Sequence, residues 1–174
     1  MIEFARGHFK ESLTHLKQMV ADNPRCPSDI WFGIGLCYYR MGNMPKAKLS
    51  MDKTLELDPD NSMALTALGI IEIATSVNDF EVREHAMQYF ERGFQANPRN
   101  ALCTSYLAEH YFVKGEYQLA AELCEAGLLV LKNKNKPERS DLVTFRQDIE
   151  QLRSFFYFIL GKVEHVQENY NEAF

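Results

Sequence analysis

The feature that most constrains this chain is that it repeats. Pro24, Pro59 and Pro98 follow one another at intervals of 35 and 39 residues, in the frames ADNPRC, ELDPDN and QANPRN. Gly35 and Gly69 are 34 apart, Ala47, Ala86 and Ala120 are 39 and 34 apart, and Gly42 and Gly115 are 73 apart, which is 34 plus 39. A unit of this length is one supersecondary element that cannot bury its apolar face alone. Stacked copies bury a continuous core instead, so the period predicts a solenoid rather than one closed globular core.

Within each unit the apolar residues fall at helical spacing on two runs joined by a turn, which predicts two amphipathic helices. Helices are expected at about 2–22, 28–41, 44–57, 62–75, 80–96, 101–114, 117–132 and 140–168, with a new start at 170–174. The spacing suggests that a small residue of each first helix (Gly35, Gly69, Ala108, Gly161) faces a small residue of the second (Ala47, Ala86, Ala120, Ala173), so that the backbones approach closely. Large residues such as Trp31, Tyr38, Leu65 and Tyr111 would fill the space around that contact. Glycine inside a helix otherwise costs about 1 kcal/mol against alanine, and its recurrence at a fixed period favours a packing role. The prolines fall in turns or first helical turns, where a missing N–H does no harm. The stretches Asp60-Asn61-Ser62 and Pro98-Arg99-Asn100 offer N-caps for the helices that follow them.

A 34-residue unit with Trp31, Ile34, Gly35, Tyr38, Gly42, Ala47, Met51 and Pro59 resembles the tetratricopeptide repeat. A second copy carries Leu65, Leu68, Gly69, Ala86, Phe90 and Pro98, and a third Leu107, Ala108, Tyr111, Gly115, Tyr117 and Ala120. Tyr157, Leu160, Gly161, Tyr170 and Ala173 suggest a fourth. The resemblance implies an all-α, right-handed superhelix of antiparallel helix pairs. The chain is then one array: a partial repeat over 1–27, repeats over 28–61, 62–100 and 101–134, and a repeat over 135–174 whose first helix is extended. The turn at Thr75 to Phe80 is enlarged, and about 19 extra residues containing KNKNKPERS precede the fourth unit. There Leu142, Phe145, Ile149, Leu152 and Phe156 keep helical spacing, which predicts an upstream extension of the helix. On this reading the chain is a piece of a longer solenoid, beginning and ending inside a repeat.

In such repeats the first helices line the inner face. The inner positions would be Phe32, Leu36, Tyr39 and Arg40; then Met63, Thr66, Ile70 and Ile73; then Leu102, Ser105, Glu109, Phe112 and Val113; then Phe155, Phe158, Lys162 and His165. The set is mostly apolar. Phe32, Leu36, Met63, Ile70, Ile73, Leu102, Phe155 and Phe158, with Tyr39 and Phe112, make a candidate groove for a hydrophobic helix or extended segment of another protein. The competing account is that the same residues only pack helices together. Co-chaperones of this family resemble one another in a carboxylate clamp of lysine, arginine and asparagine. Phe32, Leu36, Ala67 and Leu102 stand in the corresponding places here, so the clamp is absent and chaperone tails are not the expected ligand.

Composition and motifs narrow the function further. With 19 basic and 24 acidic residues the net charge is −5, which removes the electrostatic footprint of a domain that binds nucleic acid by itself. The basic run Lys132, Lys134, Lys136 and Arg139 lacks interleaved aromatics and reads as a solvated loop. Cys26, Cys37, Cys103 and Cys124 have no C-x-x-C or zinc-ligand spacing, so they are expected as free thiols in a reducing compartment. No apolar run approaches the ~20 residues of a membrane span, and residues 1–7 do not read as a signal peptide. Glu109-His110 has no second histidine at H-E-x-x-H spacing, Gly33-Ile34-Gly35 lacks a third glycine, and no P-loop or G-x-S-x-G occurs. No catalysis, metal or cofactor is therefore expected, and the histidines read as surface or packing residues.

Four stretches are narrower than the repeat itself: the Cys-Pro at Cys26, the G-I-G-x-C helix at Gly33, the LGI-x-E segment at Leu68 and YLA-x-H-Y-F at Tyr106. In these the chain resembles the N-terminal part of the large tetratricopeptide scaffold subunit of the RNA polymerase II-associated factor (Paf) elongation complex. The resemblance implies a non-catalytic nuclear scaffold that promotes elongation and histone modification and holds segments of other subunits. The alternatives are a tetratricopeptide adaptor in another machine, such as a ubiquitin ligase or trafficking complex, and the substrate-binding arm of a glycosyltransferase.

Overall fold

A computed structural model describes residues 7–75, 80–133 and 146–172. The chain divides into two compact units, Met1–Ala96 and Asn97–Phe174. The first holds α1 (Phe9–Asp22), α2 (Ser28–Arg40), α3 (Met44–Leu57), α4 (Ser62–Thr75) and α5 (Phe80–Ala96), and each helix packs on the next in sequence. The second holds α6 (Ala101–Val113), α7 (Tyr117–Asn133) and α8 (Arg146–Glu172), in which α7 packs on both neighbours and α6 also meets α8. There is no strand among the described residues. Consecutive antiparallel pairs of this kind make a helical solenoid, as the period requires.

Recurrent local chemistry sets the helix ends. The Asn43, Asn61 and Asn100 side chains accept from the backbone N–H groups of Lys46 (3.2 Å), Ala64 (3.0 Å) and Cys103 (3.2 Å), satisfying donors that the first turn leaves over. Asn23 and Asn97 accept from the N–H two residues on, at 3.1 and 3.0 Å, so the two NPR stretches make the same turn. Gly42 and Gly115 end their helices at φ of +76° and +83°, a conformation that costs glycine little.

The close approaches between helices differ from the sequence expectation. A Cβ on Gly35 would lie 2.7 Å from Met51 Cε, and one on Gly69 would lie 2.7 Å from Phe90 Cζ. The glycines therefore make room for the large residue one turn beyond the alanine, not for Ala47 or Ala86. Those alanines are fully buried. Large on small fills the space between two crossing helices better than small on small, which would leave a void. A third such contact, which the repeat period does not indicate, places Gly127 of α7 beneath the Phe156 ring of α8. Gly161 has nothing within 4 Å of where a Cβ would stand, and Ala173 lies outside the described residues.

The fourth unit also departs from the expected boundaries. Helix α8 runs unbroken through Glu172, with no turn near 169. The place held by Gly42 and Gly115 in earlier units falls on Glu168, which lacks glycine's access to positive φ. Residues 2–6, the enlarged turn at 76–79, Lys134, Lys136, Arg139, Leu142 and Phe145 lie outside the described residues.

Candidate functional site

In the first unit, α2 carries Phe32, Leu36 and Tyr39, and α4 carries Met63, Ile70 and Ile73. All six are half-buried. Phe32, Leu36 and Tyr39 pack against the core cluster of Ala47, Met51, Ala64, Leu68 and Ile71, so part of their apolar surface is already used in holding the helices together. Thr66, expected on the inner face, is buried, and its hydroxyl donates to the Ser62 carbonyl at 2.7 Å. The Arg40 guanidinium lies 5.5 Å from the Phe9 ring centroid.

In the second unit, Leu102 and Phe112 on α6 and Phe155 on α8 are half-buried, while Phe158 is 57% exposed. Ser105 is buried and donates to the Leu102 carbonyl at 2.8 Å. Phe112 and Phe158 are brought together by a residue between them, since Lys162 Nζ lies 5.4 Å from the first ring centroid and 4.4 Å from the second. Phe112 also meets Tyr117, at 5.5 Å between centroids. Val113, next in the chain, is 69% exposed.

Sequence reasoning missed a polar cluster on the first unit. Glu72 of α4 is buried, and its carboxylate takes Lys48 Nζ of α3 at 3.1 Å and His85 Nδ1 of α5 at 2.7 Å. Three consecutive helices are tied at one acid. The hydrogen bond to Glu72 pushes the Lys48 ammonium above its ordinary range. Burial pushes Tyr89 up, and the Glu72 charge adds to that. Burial likewise raises Asp52, against the pull of Lys48. A signal was available, because Glu72 falls 34 residues after Tyr38, at a place where the units just before and after it carry Tyr38 and Tyr111.

Among the described residues, no nucleophile is hydrogen-bonded to His85 in this cluster; its ring meets Tyr89 edge-on at 5.2 Å. Among the described residues, too, no three of His, Cys, Asp and Glu gather as a metal site, and no helix is long and apolar enough to cross a membrane. The four cysteines are buried free thiols, with burial pushing Cys37 up and Cys124 up to about 11. The arrangement offers apolar and aromatic surface rather than reactive groups, which is what an interaction module presents.

Comparison with known proteins agrees. The tetratricopeptide repeat family pattern matches residues 28–61 and 84–137. The chain is 40% identical over 129 residues to the Protein CTR9 homolog of Arabidopsis thaliana, covering 74% of this chain and 12% of that protein. It is 24% identical over 174 residues to the RNA polymerase-associated protein CTR9 of Caenorhabditis elegans, covering 100% of this chain and 14% of that one. The chain thus spans about an eighth of the length of these relatives. A thermophilic tetratricopeptide protein of Thermus thermophilus superposes with a TM-score of 0.65 at 17% identity, over 98% of this chain and 84% of its own, which speaks to the fold alone. The chain belongs to the tetratricopeptide repeat family. Its relatives within that family include proteins named CTR9.

Proposed function

We propose that this chain is part of a non-catalytic scaffold subunit of the RNA polymerase II-associated factor complex, working in the nucleus. It belongs there to an array that holds segments of other subunits against its first helices. The observation that carries the reading is the 40% identity, over 74% of the chain, to a CTR9 homolog. The relative from Caenorhabditis elegans is itself called RNA polymerase-associated. Half-buried apolar residues on α2, α4 and α6 support a hydrophobic ligand segment, and the net charge of −5 argues against unaided binding to duplex DNA. The repeats read as 28–61, 62–100 and 101–134, flanked by the partial units at 1–27 and 135–174.

The test combines purification and mutation. The full-length protein purified from nuclear extract should bring down RNA polymerase II subunits, and recovery with a trafficking or glycosyl-transfer complex instead would overturn the assignment. Against the subunit identified by cross-linking, Tyr39→Ala with Ile73→Ala should weaken binding tenfold or more, since one large apolar side chain is worth about 1.5–3 kcal/mol when buried. Lowering salt should restore little of it. A folded double mutant with a lower melting temperature and intact affinity would assign these residues to helix packing only.

A further inference from the structure

Two cations of the first unit meet at one ring. Lys17 Nζ of α1 lies 5.3 Å from the Tyr38 ring centroid on α2, and Lys46 Nζ of α3 lies 5.6 Å from it. The two ammoniums therefore stand within about 11 Å of each other. Tyr38 is half-buried and packs against the core cluster, so the ring is a fixed platform, while both lysines are exposed. A ring face attracts a cation but does not neutralise it. Among the described residues, neither lysine has a carboxylate within ion-pair distance.

The next repeat shows what chemistry this place takes. Glu72 stands where Tyr38 does, 34 residues on, and His85 stands where Lys46 does, 39 residues on. There the basic side chains of two consecutive second helices, Lys48 of α3 and His85 of α5, close on the Glu72 carboxylate at 3.1 and 2.7 Å. Counted from Pro59 and Pro24, Lys48 lies one turn earlier on α3 than Lys17 does on α1. The α1–α2–α3 place thus has the cations and lacks the acid. A preceding repeat does not close such a place, because Lys48 and His85, with α2 stacked before them, are still 46% and 55% exposed.

An acid brought from outside would do for Lys17 and Lys46 what Glu72 does one repeat on. Hydrogen bonds between charged groups are the strong ones. Two ammoniums set on two helices are matched by two separately placed carboxylates, such as residues one helical turn apart, whose Cβ atoms are about 5–6 Å from each other. The chain is acidic overall, yet Lys10 to Lys53 carries seven basic residues against four acidic ones, so an acidic segment is drawn to this stretch rather than repelled.

We propose that Lys17 and Lys46, held at Tyr38, bind an acidic segment of a partner protein through two of its carboxylates. The surface uses none of the candidate groove residues and does not depend on the nuclear assignment.

The probe is a display library of random 12-residue peptides selected on the 174-residue chain. Enriched peptides are measured by fluorescence anisotropy against wild type, Lys17→Met with Lys46→Met, the corresponding double arginine variant, and Lys53→Met, with melting curves to confirm folding. Enriched sequences should carry two Asp or Glu within about one helical turn. The double methionine variant should weaken them about tenfold, and less as salt rises. The double arginine variant, which keeps both charges and stacks on the ring, should stay within about twofold of wild type. Lys53→Met, which removes a cation of α3 paired with Glu56, should leave affinity unchanged. Enrichment without paired acids, or acidic peptides that bind the double methionine variant as well as wild type, would overturn the proposal. So would an equal loss on Lys53→Met, which would reduce the effect to net charge. Tighter binding of duplex DNA, or of the same peptide with one phosphoserine in place of both acids, would assign the lysines to phosphate and overturn it too.

Discussion

Gly69 of α4 and Gly161 of α8 occupy equivalent places in the repeat, and their surroundings are opposite. Gly69 lies under a fully buried Phe90 ring brought over it by α5. Gly161 is exposed, and among the described residues nothing lies within 4 Å of where its Cβ would stand. Helix α8 instead buries another edge, with Phe156, Ile159 and Val163 in the core of its unit and Phe156 over Gly127. A first helix thus has two separable apolar edges, one for the preceding second helix and one for its own. In α4 both are covered. In α8 the described residues cover only the first, and Tyr157 and Phe158 are more than half exposed.

The largest effect that can break this comparison is a pair of identical substitutions. Gly69→Leu must displace a rigid, fully buried ring, and should cost about 3 kcal/mol, the upper end of overpacking. Gly161→Leu in the 174-residue chain should leave stability unchanged or raise it by up to about 1 kcal/mol, since leucine is the better helix former at an exposed position. Gly35→Leu should fall between, because the atom nearest Gly35 is the flexible end of Met51. Urea unfolding of the three variants checks the order. Equal losses at Gly69 and Gly161 would mean that the two edges are not separable.

A smaller effect concerns the acid that ties α3, α4 and α5. Glu72→Gln keeps the shape and removes the charge, and should cost about 1 kcal/mol, a typical hydrogen-bond increment. The two partners are about half exposed and can turn to water, which keeps the loss modest. A double-mutant cycle with Lys48→Met should return a coupling of about 0.5 kcal/mol or more. Additive losses would show that the contact contributes nothing to stability. The second unit carries Tyr111 at the equivalent place, and Tyr111→Phe with the same Lys48→Met should be additive.

How much of this was legible follows from where the information lies. The period named the helices, and the stretches Asp60-Asn61-Ser62 and Pro98-Arg99-Asn100 ahead of α4 and α6 held their caps, because a cap is a local contact written within four residues. Which residue fills the space over Gly35 or Gly69 is set by a crossing angle that no period records, so the period points to Ala47 and Ala86 where the structure has Met51 and Phe90. Glu72 needs Lys48 from 24 residues before and His85 from 13 after, and neither partner marks itself in sequence. The unbroken α8 was legible in principle, since Glu168 replaces a turn glycine. The candidate residues were found on the expected helices, but half-burial against a core, as at Phe32, Leu36 and Tyr39, depends on neighbours from other helices.

The smallest effect compares the buried thiols of the two units through pH. Cys124 in the second unit is fully buried, and burial lifts its thiol from 9.0 to about 11, with the Glu125 charge adding to the shift. Between those values the unfolded chain has released the proton and the folded chain still holds it. The stability this contributes is complete below pH 9 and is lost as pH rises toward 11. One pH unit into that window the loss should be about 1 kcal/mol. Cys37 in the first unit shifts in the same direction, and Lys48 is also raised, so wild-type stability falls from both units in alkali. Cys124→Ala subtracts one contribution: it should lower stability slightly at pH 7 through lost packing, and flatten the decline between about pH 9 and 10. If the variant's decline parallels that of wild type, the alkaline loss arises elsewhere, and the thiol beside Glu125 is not as isolated from water as its packing implies.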